Sequence, residues 1–348
     1  MKKKVYNAAV IGFGLSGRIF HAPFLNAHPG FKLHTIVTSG KEAHQVYPEA
    51  HIVKDIHAAL SDPEIDIVSI CTPNEFHFSH AKMAIKAGKH VILEKPVTNS
   101  SKDFQKLITL SSSSNKRIFP FQNRRWDGDF ITLSGVICEG ILGDIVDFES
   151  HFDRYVPMVG RAAWRYNQKE GGGTLFDLGS HLIDQAVCLF GIPDAVYCRL
   201  FNQRENSIVD DSFDMKLIYP KLNVTLKAGV FVKEAGPRFI VHGTKGSFVK
   251  YGFDPQESAL RNGKIPSFRN WATEPPSAWG IIHRENNGKI YRHRRKTTPG
   301  NYMNFFEDVF QYLVAGNEPY IMQSQVLTNL QIIEKAILSH NEMKVIKF

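Results

Sequence analysis

The chain is poor in the residues that staple or anchor a fold. Its 348 residues contain four cysteines, Cys71, Cys138, Cys188 and Cys198. They form no Cys-x-x-Cys pair and no metal-ligand spacing, which argues against a disulfide framework and a zinc site. Each sits in an apolar run and reads as a small buried hydrophobe, in keeping with a reducing, cytoplasmic setting. No stretch approaches the roughly 20 apolar residues that span a membrane. The basic start Met1-Lys2-Lys3-Lys4 leads into an apolar stretch broken by three glycines, and charge returns at Arg18 with no small-residue cleavage site before it. It reads as a first strand rather than a leader. No repeat or low-complexity segment is evident.

Acidic residues are also few, 34 Asp and Glu against 42 Lys and Arg, for a net charge of +8. Such a balance suits phosphate-bearing ligands or plain solubility. The densest cluster is Arg292-His293-Arg294-Arg295-Lys296, which follows Asn287-Gly288 and precedes Pro299-Gly300. Without a recognition-helix pattern or an RNA-binding motif it reads as a solvated strand end or loop, so neither nucleic acid nor membrane is expected as a partner. Hydrophobic content of 43% and charged content of 22% describe an ordinary globular chain long enough for two domains.

Residues 1–122 alternate strand and helix. Apolar runs at 5–12, 32–38, 65–71, 90–93 and 118–122 predict strands, and 18–27, 55–60, 76–87 and 98–114 predict helices. That alternation predicts an α/β, doubly wound parallel sheet. Residues 123–348 differ. Helices are predicted near 130–142, 174–190, 302–315 and 325–339, with period-two runs at 195–203, 212–219, 224–232 and 239–251. They predict an α+β domain with a mainly antiparallel sheet.

Gly12-Phe13-Gly14-Leu15-Ser16-Gly17 follows the first strand. Gly12 permits a tight turn, Gly14 close approach of a pyrophosphate, and Gly17 close helix packing, with a helix N-terminus offering free N–H groups. A plain glycine-rich turn is the bland alternative. The second strand ends Thr38-Ser39-Gly40-Lys41, with no carboxylate until Glu42. Ser39 and Lys41 therefore favour a 2′-phosphate and NADP over NAD, although Lys41 also reads as a solvated loop lysine.

Thr72, Pro73 and Asn74 close the third strand and Glu94, Lys95 and Pro96 the fourth, at the end of the sheet where ligands bind. Asp177 and His181 share a helix face, so the carboxylate can orient the imidazole. A capped or surface histidine is the alternative. Gly171-Gly172-Gly173 before them allows close backbone approach. His181 with Asp184 raises a metal reading, which the absence of a second His or a Cys at ligand spacing disfavours.

In this order the elements resemble the Gfo/Idh/MocA (glucose–fructose oxidoreductase/inositol dehydrogenase) family. Thr72-Pro73-Asn74-x-x-His77 through Ala87-Gly88-Lys89-His90-Val91 to Glu94-Lys95-Pro96 carries the resemblance most specifically, followed by Gly172-Gly173-Thr174 with Asp177 and His181, and by 241–247. The resemblance implies a Rossmann domain over 1–122 and an α+β substrate and oligomerisation domain over 123–348, in a homodimer or homotetramer. It implies hydride transfer at a sugar or cyclitol carbon, with Lys95 as catalytic lysine, Asp177 its acidic partner and His181 the acid/base. Pro73 and Asn74 would line the nicotinamide region, and Pro96 would follow a cis peptide. Within the family, 123–130, 148–154 and 250–257 resemble the branch with NADP-dependent scyllo-inositol dehydrogenases. Phe13, Thr72, His77, Glu94 and Lys95 join the expected cofactor contacts. Arg125, Trp126, Asp153 and Arg154 are candidates for a polyol pocket, Trp126 reading equally as core and Arg154 as a surface ion-pair partner. A non-catalytic dinucleotide or sugar sensor and an NAD-dependent glycosidase are the rival expectations.

Overall fold

A computed structural model describes residues 4–158, 171–269 and 271–348. The basic start at 1–3 lies outside them. The chain forms two compact units.

The first unit holds a six-stranded, fully parallel sheet. Its strands are β1 (Tyr6–Ile11), β2 (Phe31–Val37), β3 (His51–Val53), β4 (Ile67–Ile70), β5 (His90–Leu93) and β6 (Ile118–Pro120), in the order β3-β2-β1-β4-β5-β6. All four residues of β4 are buried, as expected where helices cover both faces of a parallel sheet. Sequence reading missed β3, a half-exposed edge strand of three residues too short to show periodicity. Asp55 caps helix Ile56–Leu60 by accepting the His57 N–H at 3.0 Å, and Ser100 caps helix Ser101–Ser113 from Asp103 at 3.2 Å.

This unit contains more than the first 122 residues. It comprises Met1–Asn123, Gln256–Trp271 and Asn301–Leu327. The reason is sheet coverage: helix Met303–Ala315 lays Phe306 flat against Phe24, with centroids 5.2 Å apart, and Phe310 edge-on to Tyr6 and Phe31. No local pattern announces that a late helix returns to an early sheet.

The second unit comprises Arg124–Pro255, Ala272–Gly300 and Thr328–Phe348. Its nine strands are β7 (Ile145–His151), β8 (Ala195–Phe201), β9 (Ser212–Ile218), β10 (Asn223–Ala228), β11 (Phe239–Gly243), β12 (Gly246–Lys250), β13 (Gly280–Asn286), β14 (Lys289–Arg295) and β15 (Ile346–Lys347). They run β14-β13-β12-β11-β7-β10-β9-β8-β15, antiparallel except for the β7–β10 pair. The expected run over 239–251 is a hairpin turned at Thr244 and Lys245. The basic cluster forms most of β14, an exposed strand at one sheet edge, where charge discourages further pairing. Among the described residues no helix is long and apolar enough to cross a membrane.

Candidate active site

In the first unit the glycine turn has the predicted division of labour. Gly12 adopts φ +94°, and a methyl there would lie 2.8 Å from the Cys71 carbonyl oxygen. A methyl on Gly17 would collide with the Gly12 carbonyl. Around Gly14 nothing lies within 4 Å, so its exposed backbone is open to a ligand. These three positions fit a dinucleotide pyrophosphate. The following helix opens with a π-helical turn, Gly17–His21, closed by the Ala22 N–H to Gly17 O.

Glu94 lies beneath this turn. Its Oε1 accepts from the Ser16 hydroxyl and from His21 Nε2, the latter at 3.0 Å, and its Oε2 accepts the Lys95 backbone N–H at 2.9 Å. Ser69 Oγ lies 2.6 Å from His21 Nδ1. Burial acts to raise the Glu94 pKa, but the His21 and Ser16 hydrogen bonds and the Lys95 charge outweigh it and hold the carboxyl below its usual value. Glu94, expected among the cofactor contacts, thus ties the glycine turn to the lysine backbone.

His77, another expected contact, is buried. Its Nδ1 faces Pro96 O at 2.7 Å and its Nε2 faces Thr72 O at 2.8 Å. It braces the loop after β4 against the loop after β5. Burial lowers its pKa against the pull of both carbonyls. The Lys95–Pro96 peptide is cis. Lys95 is half-buried, Asn74 is buried, and Thr72 and Pro73 are half-buried, all within this pair of strand-end loops.

Ser39 and Lys41 are exposed after β2, and Phe13 packs edge-on to Tyr47 with centroids 6.1 Å apart. Sequence reading missed Arg18. Its Nη1 reaches Glu42 Oε2 at 3.0 Å, which brings a guanidinium to the loop of Ser39 and Lys41 and neutralises that loop's nearest carboxylate. The signal was there: an arginine directly follows the third glycine.

In the second unit Asp177 lies on a π-helical turn, Leu175–Gly179, and His181 on the α-helix that continues it, Ser180–Phe190. Single π-helical turns are frequent at functional positions. His181 is 5% exposed, which rules out the surface-histidine reading. Gly173 (φ +96°) precedes the turn, and a methyl there would collide with Asp210 Oδ1. Asp210 Oδ2 accepts the Leu175 N–H at 2.7 Å, and burial pushes its pKa up to about 6 against the hydrogen bond from Leu175.

The candidate substrate residues divide. Arg125 makes a two-pronged ion pair with Asp184, Nε to Oδ2 at 2.8 Å and Nη2 to Oδ1 at 2.7 Å, with both side chains almost fully buried. Asn329 donates to the same Oδ1 at 2.7 Å. Arg125 therefore anchors the His181 helix, and Asp184 is committed to that anchor instead of a metal. Among the described residues no group of three His, Cys, Asp or Glu side chains is set to hold a metal ion. Trp126 is 9% exposed and belongs to the core. Asp153 Oδ2 lies 3.2 Å from His151 Nδ1, and Glu149 Oε2 lies 3.1 Å from its Nε2. Burial would lower the His151 pKa, but the two carboxylates raise it. Arg154 lies over Phe152 with its guanidinium 5.1 Å from the ring centroid. Arg238, also missed, is buried and bonds Ser150 Oγ at 2.6 Å and Gln185 Oε1 at 2.8 Å, one turn beyond His181.

Removing Arg125 would leave a buried carboxylate short of its cation. Arg125→Ala is expected to cost about 3–5 kcal/mol in urea unfolding, the usual range for breaking a buried pair. A loss below about 1 kcal/mol, the value of an exposed pair, would contradict this reading.

Comparison with known proteins agrees with this geometry. Residues 6–121 match the oxidoreductase family's NAD-binding Rossmann fold, and residues 135–348 match its C-terminal alpha/beta domain. The chain is 34% identical over 346 residues to scyllo-inositol 2-dehydrogenase (NADP(+)) IolW of Bacillus subtilis, covering 99% of this chain and 96% of that protein. It is 37% identical over 331 residues to the oxidoreductase YdgJ of Escherichia coli, covering 95% of each. The crystal structure of an oxidoreductase from Bacillus cereus superposes with a TM-score of 0.90 at 34% identity, over 99% of both chains. With both halves matched and its relatives covered nearly end to end, the chain belongs to the Gfo/Idh/MocA oxidoreductase family, with an NAD-binding Rossmann domain.

Proposed function

We propose that this chain transfers a hydride between NADP(H) and a carbinol carbon of a cyclitol, with scyllo-inositol and its ketone, scyllo-inosose, as the pair. The observation that carries the reading is Glu94, whose carboxylate joins Ser16 of the glycine turn to the backbone of Lys95. A group that fixes a dinucleotide turn and a strand-end lysine together suits chemistry on the cofactor's reacting end. The similarity to IolW, named for scyllo-inositol and NADP(+), supports the substrate and the cofactor.

When bound, the nicotinamide supplies the hydride acceptor or donor. The residues supply the proton chemistry. His181 takes the hydroxyl proton at an imidazole nitrogen during oxidation and returns it during reduction. The Lys95 ammonium stabilises the alkoxide that develops on the same oxygen. Asp177, four residues before His181, orients its imidazole. The reading includes a homodimer or homotetramer, which sedimentation velocity tests.

Arg18, Ser39 and Lys41 are assigned to the 2′-phosphate, since the pairing of Glu42 with Arg18 removes its repulsion from the loop. Arg18→Ala and Lys41→Ala are each expected to lower kcat/KM with NADP⁺ about tenfold or more, the value of one charge-assisted contact, and to leave NAD⁺ kinetics unchanged. Equal losses with both cofactors would contradict the assignment. The reading as a whole is tested by following cofactor reduction with scyllo-inositol, myo-inositol, glucose and xylose, each with NADP⁺ and with NAD⁺. Reduction fastest with scyllo-inositol and NADP⁺ is expected. Tight cofactor retained through purification, with glycoside cleavage and no net reduction, would replace this reading with the glycosidase one.

A further inference from the structure

The helix bearing His181 is fastened at its start by a residue from a distant loop, the connection from β8 to β9. Asp210 engages the first turn twice. Its carboxylate accepts the Leu175 N–H at 2.7 Å, and its backbone carbonyl accepts the Thr174 N–H at 2.9 Å. Both donors belong to the set that a helix start leaves without intrahelical partners. Gly173 makes the approach possible, because any side chain there would collide with the carboxylate. Immediately after these contacts, Asp177 donates its backbone N–H to Gly173 O at 3.0 Å. The anchor, the glycine and the Asp177 backbone are thus consecutive links.

The loop that presents Asp210 is itself rigidly held. Asp211 is fully buried, and its carboxylate accepts the backbone N–H groups of Gln203 at 2.7 Å and Arg204 at 2.8 Å, and Arg204 Nε at 3.2 Å. Asp211 N donates to Phe201 O at 2.9 Å. Two adjacent aspartates therefore do different work: Asp211 folds the loop back on its own strand, and Asp210 points away to the helix. Burial acts most strongly against the Asp210 charge, the backbone hydrogen bonds from Leu175 and Thr174 support it, and the neighbouring Asp211 carboxylate opposes it.

We propose that Asp210 is a positioning residue for the reaction, its carboxylate setting the π-helical turn that carries Asp177 and so the placement of His181. The proposal rests on the hydride-transfer reading above for its kinetic consequence, and on the Leu175 hydrogen bond alone for its structural one. Misplacing a reacting group by about 1 Å costs up to about 10²-fold. NADPH binding, assigned to the glycine turn of the first unit, is the control that separates this effect from general loss of function.

The test combines kinetics with hydrogen exchange on the full-length protein. Asp210→Ala is expected to lower kcat at least about tenfold with the NADPH dissociation constant unchanged, and to speed exchange of the Leu175 amide. Asp210→Asn, which keeps an oxygen acceptor, is expected to restore most of kcat and the slow exchange. Gly173→Ala, which displaces the carboxylate while leaving it present, is expected to reproduce the Asp210→Ala pattern. If Asp210→Ala does not fold, the Gly173→Ala and Asp210→Asn pair decides. Wild-type kcat in Asp210→Ala, or parallel loss of kcat and NADPH binding in all three variants, would overturn the proposal. Should the wild-type protein turn over no polyol, the function reading fails, and the exchange rates still decide whether Asp210 sets the turn: unchanged Leu175 exchange in Asp210→Ala overturns it.

Discussion

Lys95→Ala and His181→Ala each lower kcat by about 10²-fold or more, while NADPH still binds. The expectation for Lys95 comes from its support. Its backbone N–H is fixed by Glu94, and the next carbonyl, that of Pro96, is fixed by His77. The scaffold determines where the ammonium starts, and truncation removes the charge without disturbing the scaffold. For His181 the expectation comes from its helix, which is anchored by Arg125 through Asp184 and by Arg238 through Gln185. A buried histidine on so constrained a helix loses little backbone order when its ring is removed. Steady-state kinetics with fluorescence titration of NADPH checks both variants. Turnover at the wild-type rate in either would remove that residue from the mechanism.

The second large effect is a contrast among three glycines. Gly17→Ala places a methyl against the Gly12 carbonyl, with the Val10 side chain 3.2 Å away. Neither neighbour is a flexible side-chain end, so the turn must open, at a cost of about 1–3 kcal/mol or more. Gly12→Ala combines a carbonyl contact at 2.8 Å with φ +94°, which disfavours any side chain. Gly14→Ala meets nothing within 4 Å and should melt like the wild type. Its methyl would instead occupy space assigned to the pyrophosphate, so NADPH affinity falls while stability holds. Thermal melts with and without NADPH separate these outcomes. Destabilisation by Gly14→Ala to match Gly17→Ala would show that the turn is packed against protein and is not a cradle.

The parallel sheet was legible because its central strands are buried on both faces and therefore appear as unbroken apolar runs. The glycine turn and Lys95 were legible because they occupy strand ends, which apolar runs locate well. What escaped depends on pairing at a distance. β7 carries Asp147, Glu149 and His151 alternating with the buried Phe148 and Ser150, and only its position between β10 and β11 makes it a strand. β14 has no buried face and exists through its ladder with β13. Arg125 looked like a polyol ligand because an arginine beside a tryptophan has no local mark that its partner, Asp184, lies 59 residues later. Asp177 and His181 were placed on one α-helical face, whereas the structure puts a π-helical turn at Asp177, which residue spacing alone does not disclose.

The most direct measurement uses scyllo-inositol deuterated at every ring carbon, with NADP⁺ and the purified protein. The expected result is NADPH carrying one deuterium at C4 of the nicotinamide, formed at a rate that collapses in the Lys95→Ala and His181→Ala variants. Unlabelled NADPH, or no reduction of NADP⁺, would contradict hydride transfer from a cyclitol carbinol to this cofactor.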